Sequence, residues 1–357
     1  MNRVARMIAR MILLRFLPIL LGLSLFVLTL EVVAYAKEIL NVNDGGLGMI
    51  SKYIAFRMPG TMATFLPISL LLALLLTVTE LSYRNEITAI WSIGLSPLRL
   101  IGSLAPLAVL IGLLHFTLVD RLVPAAAPTL RSWGIADYGE KKLKIGEKDP
   151  IWLRSGNDIM RAASSNRDSS RLSDVTIFRR DASGILLEQI YAESASRVAE
   201  GWNLQNAVIY GRVSAPPKRS TQLLYNGTMR AAKAGSRSGD PEEMTLGDLS
   251  YFIANDGFGI RPAYVYKAWW HKRVSLLFVS LVMLALVVPL STRFRRGGGL
   301  GTLFALGVGL GFSFFILDGI AMSIGELGVV FPWLAAWLPV LVFSCVALYL
   351  LSKSERV

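Results

Sequence analysis

Long, nearly uninterrupted runs of apolar residues dominate the hydropathy pattern of this chain. A membrane-spanning helix needs about 20 such residues. The runs that qualify are Ile12–Ala36, Pro59–Thr79, Leu100–Val119, Val274–Leu290, Leu300–Ile324 and Trp333–Leu351. They fall as three before and three after a polar stretch between Asp120 and Arg273. The pattern therefore predicts a membrane α-helical protein with six transmembrane helices, arranged 3+3 around an inserted extracytoplasmic domain.

Within the polar stretch the periodicity changes to the two-residue alternation of β-strands. Asp174–Ile177 alternates before a turn at Asp181–Gly184, and Trp202–Gln205 alternates after a turn at Glu200 and Gly201. Many short strands with polar turns are typical of an antiparallel sandwich or jelly roll. Thr245 and Asp248 then form a capping-box-like start to a short helix. We predict four segments: 1–120 with three spans and a cytoplasmic coupling helix at about 80–97, 121–244 as a β-jelly-roll-like domain, 245–272 as a connecting helix, and 273–357 with the last three spans.

The distribution of Lys and Arg sets the expected orientation. Short cytoplasmic loops are enriched in these residues. In the short loops, most of them lie at the span ends on one side of the membrane, around Arg3–Arg15, Arg84–Arg99, Arg293–Arg296 and Lys353–Arg356. This is also the side of both chain termini. Both termini are therefore predicted to be cytoplasmic and the insert periplasmic.

Composition excludes several kinds of chemistry. The chain is 53% hydrophobic and 17% charged, with one cysteine and two histidines. A disulfide, a cysteine zinc cluster and a histidine-rich metal site are thereby excluded or disfavoured. No GxxxxGK[ST] motif is present, so ATP hydrolysis by that route needs another subunit. We predict a chain that is not an enzyme and binds no cofactor.

A short amphipathic helix is predicted between the second and third spans. Ile87, Ile90 and Trp91 share one helical face, Gly94 can end the helix, and Pro97 prevents its continuation. Such a helix suits either the membrane surface or the docking of a soluble partner.

Charged and small residues inside the spans carry further expectations. Glu31 and Asp318 are intramembrane acids, which are costly in lipid and usually face a partner or a cavity. They are candidate gate or subunit-contact residues, although hydrogen bonds between packed helices explain them equally well. Gly307 and Gly311 form a GxxxG pair, which favours close helix packing.

Several motifs, in this order along the chain, resemble the LptF/LptG permease family of lipopolysaccharide exporters. They are Arg84-x-Glu86-Ile87 with Gly94, Ile151-Trp152-Leu153-Arg154, Ala192-x-x-Ala195, Gly201-Trp202-x-Leu204, the helix Leu246–Gly257 and the run Gly311–Asp318. Each motif is short, but together they cover essentially the whole chain. The last is closer to the LptG branch than to the LptF branch.

The resemblance implies a permease subunit in the inner membrane of a Gram-negative bacterium. It would form a heterodimer with an LptF-like permease, on an LptB-like ATPase dimer that supplies ATP and Mg, with an LptC-like protein as a further partner. The substrate would be lipopolysaccharide, extracted from the periplasmic leaflet through lateral gates at Ile12–Ala36 and Leu300–Ile324 and passed to a periplasmic bridge.

The resemblance and the residue chemistry together nominate site residues. The candidates for ATPase coupling are Arg84, Glu86, Ile87, Ile90 and Gly94. The candidates for substrate binding are Lys37, Tyr35, Arg57, Arg273 and Phe315. Lys37 fits a lipid-phosphate contact and a snorkelling anchor equally well.

Two rival functions remain open at this stage. One is a membrane-anchored scaffold or sensor with a periplasmic β-domain and no transport. The other is a secondary transporter, which the large insert and the few intramembrane charges disfavour. Co-purification of an ATPase discriminates between export and scaffolding.

Overall fold

The computed structural model describes residues 3–42, 46–86, 89, 96–138, 151–155, 157–165, 171–198, 200–211, 216–226, 240–254, 262–292 and 300–354. The chain divides into two compact units. One consists of Met1–Tyr138 and Ala268–Val357, and the other of Gly139–Lys267. We call them the helical unit and the insert.

Among the described residues, six helices are long and apolar enough to cross a membrane, which confirms the predicted spans. The helices described in the chain are α1 (Arg3–Ala34), α2 (Ala36–Asn41), α3 (Gly46–Tyr83), α4 (Pro97–Thr117), α5 (Val123–Trp133), α6 (Leu246–Ala254), α7 (Ala263–Thr292), α8 (Leu300–Glu326) and α9 (Pro332–Ser354). A π-helical turn at Leu118–Leu122 joins α4 to α5, so that helix continues past residue 120, and a 3-10 turn follows at Ala136–Tyr138.

Several helices extend beyond their apolar runs. α3 begins at Gly46 rather than Pro59, and α7 begins at Ala263 rather than Val274. Hydropathy marks only the segment that suits hydrocarbon, whereas helix also forms where a flank packs on a neighbour. The flank of α3 does so through Met49 and Tyr53, which are buried.

α3 and α7 form the centre of the helical unit, and α1 and α8 are its least buried spans. The shared core contains Phe16 and Leu20 of α1, Leu66, Leu70 and Leu74 of α3, Leu104 of α4, and Met283 and Leu286 of α7. The bundle has two ends. The end that holds both chain termini is called the terminal end, and the end where the chain leaves for the insert is called the insert end.

The close packing predicted for the glycine pair of α8 is confirmed. A Cβ atom added at Gly307 would overlap Leu75, and one added at Gly311 would overlap Leu71, both of α3. The absence of side chains on this face lets the Leu71 and Leu75 side chains of α3 pack directly against the backbone of α8.

The described part of the insert contains one six-stranded antiparallel sheet in the order β1-β2-β3-β4-β5-β6. The strands are β1 (Ile151–Ser155), β2 (Asp158–Ser165), β3 (Arg171–Arg180), β4 (Leu186–Val198), β5 (Gly201–Tyr210) and β6 (Lys218–Tyr225). The predicted all-β insert is therefore confirmed. Its strand order is a meander, in which each described strand pairs with the next in sequence, and is simpler than the Greek-key order of a two-sheet jelly roll.

The sheet is strongly coiled, and one hydrogen bond demonstrates it. β2 and β6 are four strand intervals apart, which is about 19 Å in a flat sheet. Nevertheless the Tyr225 hydroxyl donates to Asp158 Oδ2 over 2.6 Å. The sheet folds over its apolar face, which includes Trp202, Leu204 and Ile177, all fully buried.

Local chemistry forms the predicted turns and the helix cap. Asp181 Oδ1 accepts hydrogen bonds from the backbone N–H groups of Ser183 and Ile185, and Gly184 adopts φ 83°. Before α6, Thr245 Oγ1 accepts from the Asp248 N–H while Asp248 Oδ2 accepts from the Thr245 N–H. This reciprocal pair is the predicted capping box.

Candidate functional site

A buried ion pair joins α1 to α3 at the insert end. Glu31 Oε1 accepts from Arg57 Nε over 2.8 Å and from the Tyr53 hydroxyl over 2.7 Å. The Arg57 and Glu31 side chains are only 17% and 11% exposed. The Arg57 guanidinium also lies 5.2 Å from the centre of the Tyr138 ring. These contacts satisfy the intramembrane acid within the chain, as the helix-packing interpretation of Glu31 predicted.

An apolar cluster surrounds this ion pair. Its buried members come from α2, α3, α5 and the segment that follows α5: Ile39, Met49, Tyr53, Ala126, Leu130 and Ile135. Tyr35 is half-buried against the cluster. The Trp133 ring meets the Phe56 ring edge-on, with 5.4 Å between centroids. The cluster fixes the insert ends of α1 and α3 relative to each other.

Lys37 lies outside this cluster. α1 ends at Ala34, Tyr35 turns the chain, and Lys37 is the second residue of α2. Its side chain is exposed. Val33, one turn earlier, is 72% exposed. An exposed cation next to exposed hydrocarbon is the arrangement that an anionic lipid requires.

A second ion pair joins α7 to α8 at the same end of the bundle. Lys272 Nζ pairs with Asp318 Oδ1, with both side chains largely buried. About two turns further along α8, Glu326 Oε1 accepts from the indole N–H of Trp269 of α7 over 2.6 Å. Asp318 therefore has an internal partner, as Glu31 has. Arg273, the neighbour of Lys272, is 1% exposed and lies in the interior of the helical unit.

The outward face of α8 carries an apolar stripe. Phe312, Ile316 and Ile320 are more than half exposed, with Ile316 at 61%. Phe315 is half-buried and meets the Phe314 ring edge-on at 5.8 Å. Of the residues on α8, Ile316 rather than Phe315 is thus the more accessible to a lipid or a partner helix.

The terminal end has an ionic network of its own. Glu80 of α3 pairs with Arg15 of α1, and its other oxygen accepts from Arg84 over 2.7 Å. α3 ends at Tyr83, and two residues later Asn85 adopts a left-handed backbone with φ 56°. Glu86 is half-buried. Of the remaining coupling candidates, Ile87, Ile90 and Gly94 lie outside the described residues.

The insert carries the titratable groups with the clearest shifts outside the spans. Burial, reinforced by the Asp158 carboxylate, raises the pKa of the Tyr225 hydroxyl. A hydrogen bond to Glu188 raises the pKa of the Arg179 guanidinium, which lies 3.7 Å from Asp158. At neutral pH the Tyr225 hydroxyl is therefore protonated and can donate its hydrogen bond to Asp158, and Arg179 carries its positive charge. Across the described residues, no group of three His, Cys, Asp or Glu side chains could hold a metal ion.

Four charged or polar participants in the contacts of Glu31, Asp318 and Arg84 were not singled out by the sequence analysis. They are Arg15, Tyr53, Glu80 and Lys272. The sequence does contain one signal that could have found such pairs, namely the distance of each charged residue from the end of its span. Two opposite charges equally far from the same end of the bundle are candidates for pairing. Lys272 and Asp318 meet this criterion, because each lies close to the insert end of its span.

Comparison with known proteins agrees with the architecture. The sequence model of the family described as "Lipopolysaccharide export system permease LptF/LptG" matches residues 6–353. The permease protein LptG of Escherichia coli strain K12 is 23% identical over 358 residues, covering 95% of this chain and 96% of that protein. LptG of E. coli O6:H1 matches to the same extent. The match spans both groups of membrane helices and the insert, so this multi-pass membrane protein belongs to the LptF/LptG family of lipopolysaccharide export permeases.

Proposed function

We propose that the chain is the LptG-like permease subunit of an ABC exporter in the inner membrane of a Gram-negative bacterium. It extracts lipopolysaccharide from the periplasmic leaflet and passes it to a periplasmic bridge. The observation that carries this proposal is the family match from residue 6 to residue 353, across spans and insert alike. The Lys/Arg distribution supports cytoplasmic termini and a periplasmic insert.

The proposed assembly contains several chains. An LptF-like permease covers the least buried spans, α1 and α8, whose outward faces are apolar. An LptB-like ATPase dimer binds ATP and Mg and docks at the terminal end near Arg84 and Glu86. An LptC-like membrane-anchored protein continues the path in the periplasm. Lifting a lipid with several acyl chains out of the bilayer costs about 0.8 kcal/mol for each methylene exposed to water, so work from a separate ATPase is required.

The substrate contacts are ranked by exposure. Lys37 is the first candidate for a lipid phosphate, with Tyr35 and the α8 stripe around Phe315 and Ile316 for the acyl chains. Arg273 is buried and the Arg57 side chain is only 17% exposed, so they would reach a substrate more fully only after α1, α3 or α7 had moved. Glu31 and Asp318 are proposed gate residues, because each anchors one of the gate helices, α1 and α8, to the centre of the bundle.

The first experiment tests the assembly. The tagged chain is purified in mild detergent from its own host, and the bound proteins are identified. A stoichiometric ATPase whose hydrolysis responds to lipopolysaccharide is the expected result. Recovery of the intact chain without any ATPase would favour the scaffold or sensor function.

The second experiment tests the substrate path. A photo-crosslinking amino acid is placed at Tyr35, Phe315 or Ile316, with Leu348 of α9 as the control position at the terminal end. Lipopolysaccharide should be captured at the first three positions and not at Leu348, and Lys37→Glu should reduce capture at Tyr35 at an unchanged protein level. Equal capture at Tyr35 and Leu348, or capture indifferent to Lys37→Glu, would leave Lys37 as a surface anchor.

A further inference from the structure

A narrow apolar groove lies between α4, α7 and α9, in the half of the helical unit nearer the terminal end. Its volume is about 300 Å³. The buried side chains of Val282, Val340 and Ala347 form its floor, and the exposed side chains of Leu98 and Leu348 contribute to its rim. None of its described lining residues belongs to α1 or α8, which carry the proposed substrate path.

The dimensions of the groove fit an extended hydrocarbon chain. The α9 residues that line it run from Val340 to Leu351, which is about 16 Å along the helix axis. This is close to half of the roughly 30 Å hydrocarbon core of a bilayer, so the groove is about one leaflet deep. A transmembrane helix, about 10 Å across, would need a far larger trough than one of 300 Å³.

The charges around the groove select a negative headgroup. The three helices that line it contain no Asp or Glu. At its terminal end, Arg99 follows the lining residue Leu98, and Lys353 comes two residues after Leu351, with its Nζ 5.8 Å from the centre of the Tyr349 ring. The N-terminus of α4 begins at the same end, and its first N–H groups add positive potential.

The opposite end of the groove is aromatic. Phe278 belongs to the lining, and its ring lies 5.3 Å from that of Trp337. From one end to the other, the groove therefore presents cations at headgroup level, then hydrocarbon, then an aromatic stop at about the depth of the bilayer midplane.

We propose that this groove binds one acyl chain of an anionic phospholipid from the leaflet at the terminal end, with the phosphate beside Lys353 and Arg99. On the orientation proposed above, that leaflet is the cytoplasmic one. The lipid fills the space between α4, α7 and α9 and thereby holds α9 against the bundle. It is a resident of the permease rather than its cargo.

The test measures lipid retained by the full-length chain, with whatever subunits co-purify, by native mass spectrometry. The protein is equilibrated with equal amounts of dioleoyl phosphatidylglycerol and dioleoyl phosphatidylcholine. One phosphatidylglycerol should remain bound after gentle activation, in clear excess over phosphatidylcholine. Ser344→Phe, which fills the groove, should lower its retention by about tenfold, since the lost burial involves several methylenes. Cys345→Phe is the matched control, because Cys345 is the exposed next residue and does not line the groove.

A charge variant keeps the test decisive if Ser344→Phe fails to fold. Lys353→Glu should lower phosphatidylglycerol retention by about fivefold or more, because each cation near an anionic lipid contributes about that factor. It should leave phosphatidylcholine retention unchanged. Lys52→Glu, an exposed lysine of α3, is the matched control. Equal retention of the two lipids, equal loss in the two phenylalanine variants, or capture of a polypeptide instead of phospholipid by a photo-crosslinker at Leu348 would overturn the proposal. The outcome is independent of whether an ATPase co-purifies.

Discussion

Arg57 donates its Nε–H to Glu31 across the boundary between the first two spans, and the two side chains are buried together. They are 26 residues apart in the chain. From the sequence alone, Arg57 is a candidate substrate ligand and Glu31 is a candidate gate or subunit-contact residue. Their pairing makes them one unit, since removing either charge strands the other in a low-dielectric interior.

The coupling between these two residues is measurable. Arg57→Leu and Glu31→Leu should each lower the free energy of unfolding by about 3 kcal/mol, because each leaves a buried charge without its main partner. The double variant should lose clearly less than the sum of the two. A double-mutant cycle by denaturant unfolding in detergent provides the measurement, with Lys52→Leu on the exposed face of α3 as control. Additivity within about 0.5 kcal/mol would show that the pair is not coupled.

The Lys272–Asp318 pair separates stability from transport. Asp318→Ala should destabilise the chain by about 3 kcal/mol, because Lys272 keeps its charge without a partner. Lys272→Leu combined with Asp318→Leu should restore much of this loss, since apolar pairs often replace buried ion pairs at little cost. If the pair serves the gate, the folded double variant should still release lipopolysaccharide more slowly in a reconstituted assay. A normal release rate would show that the pair only stabilises the packing of α7 against α8.

Reversing the charge of Glu86 should weaken ATPase coupling. Glu86→Lys places a cation beside the proposed docking helix and should reduce association of the ATPase subunit by about tenfold or more. Glu38→Lys, an exposed acid of α2 near the insert end, is the control and should leave assembly intact. Pull-down yield and lipid-stimulated ATP hydrolysis are the two readouts. Normal values for both in Glu86→Lys would remove this residue from the interface.

The orientation of the chain can be tested by thiol labelling. Cys345 is first replaced, and single cysteines are introduced at Ser183, in the β3–β4 turn, and at Ser354, the last residue of α9. An impermeant maleimide added to intact spheroplasts should label only Ser183→Cys, and lysis should expose the second position. Labelling at position 354 before lysis would show that the predicted orientation is wrong.

Two glycines of α4 should respond in opposite ways to alanine. A Cβ atom at Gly112 would lie 2.6 Å from the Leu277 carbonyl oxygen of α7, whereas one at Gly102 would meet nothing within 4 Å. Gly112→Ala should therefore cost about 1–3 kcal/mol through overpacking against backbone. Gly102→Ala should be neutral or stabilise the helix by up to about 1 kcal/mol. Unfolding of the two variants under identical conditions checks the contrast, and equal effects would refute the close approach of α4 and α7.

The fold was largely predictable because its signals are local. A run of about 20 apolar residues decides a span by itself, and the Asp181 turn and the Thr245–Asp248 cap each depend on residues within four positions. The extra length of α3 was not predictable, because its flank is helical through tertiary packing. The coil of the sheet was missed for a related reason: Asp158 and Tyr225 are 67 residues apart.

The candidate site was less accessible to sequence reasoning. Type and position marked Glu31 and Asp318 as acids that need a partner or a cavity, and the structure gives each an internal cation, but a single sequence does not say which one. Tyr53 reads as an ordinary aromatic residue in a polar flank, and its hydroxyl becomes relevant only when α1 lies beside α3. Exposure separates Lys37 from Arg57 and Arg273, although all three are merely basic residues near span ends in the sequence.

The meander order of the insert also bears on how the chain acquires its structure during synthesis. Every strand pairs with the strand made just before or just after it, so the contact order of the sheet is low and only short loops must close. Hairpins can form one after another while α7, α8 and α9 are still unmade. The Tyr225–Asp158 bond joins β2 to β6, four strand intervals away, so it can form only after the last strand has been made and then locks the coil. The pairing of the six strands therefore needs no residue of the second group of spans.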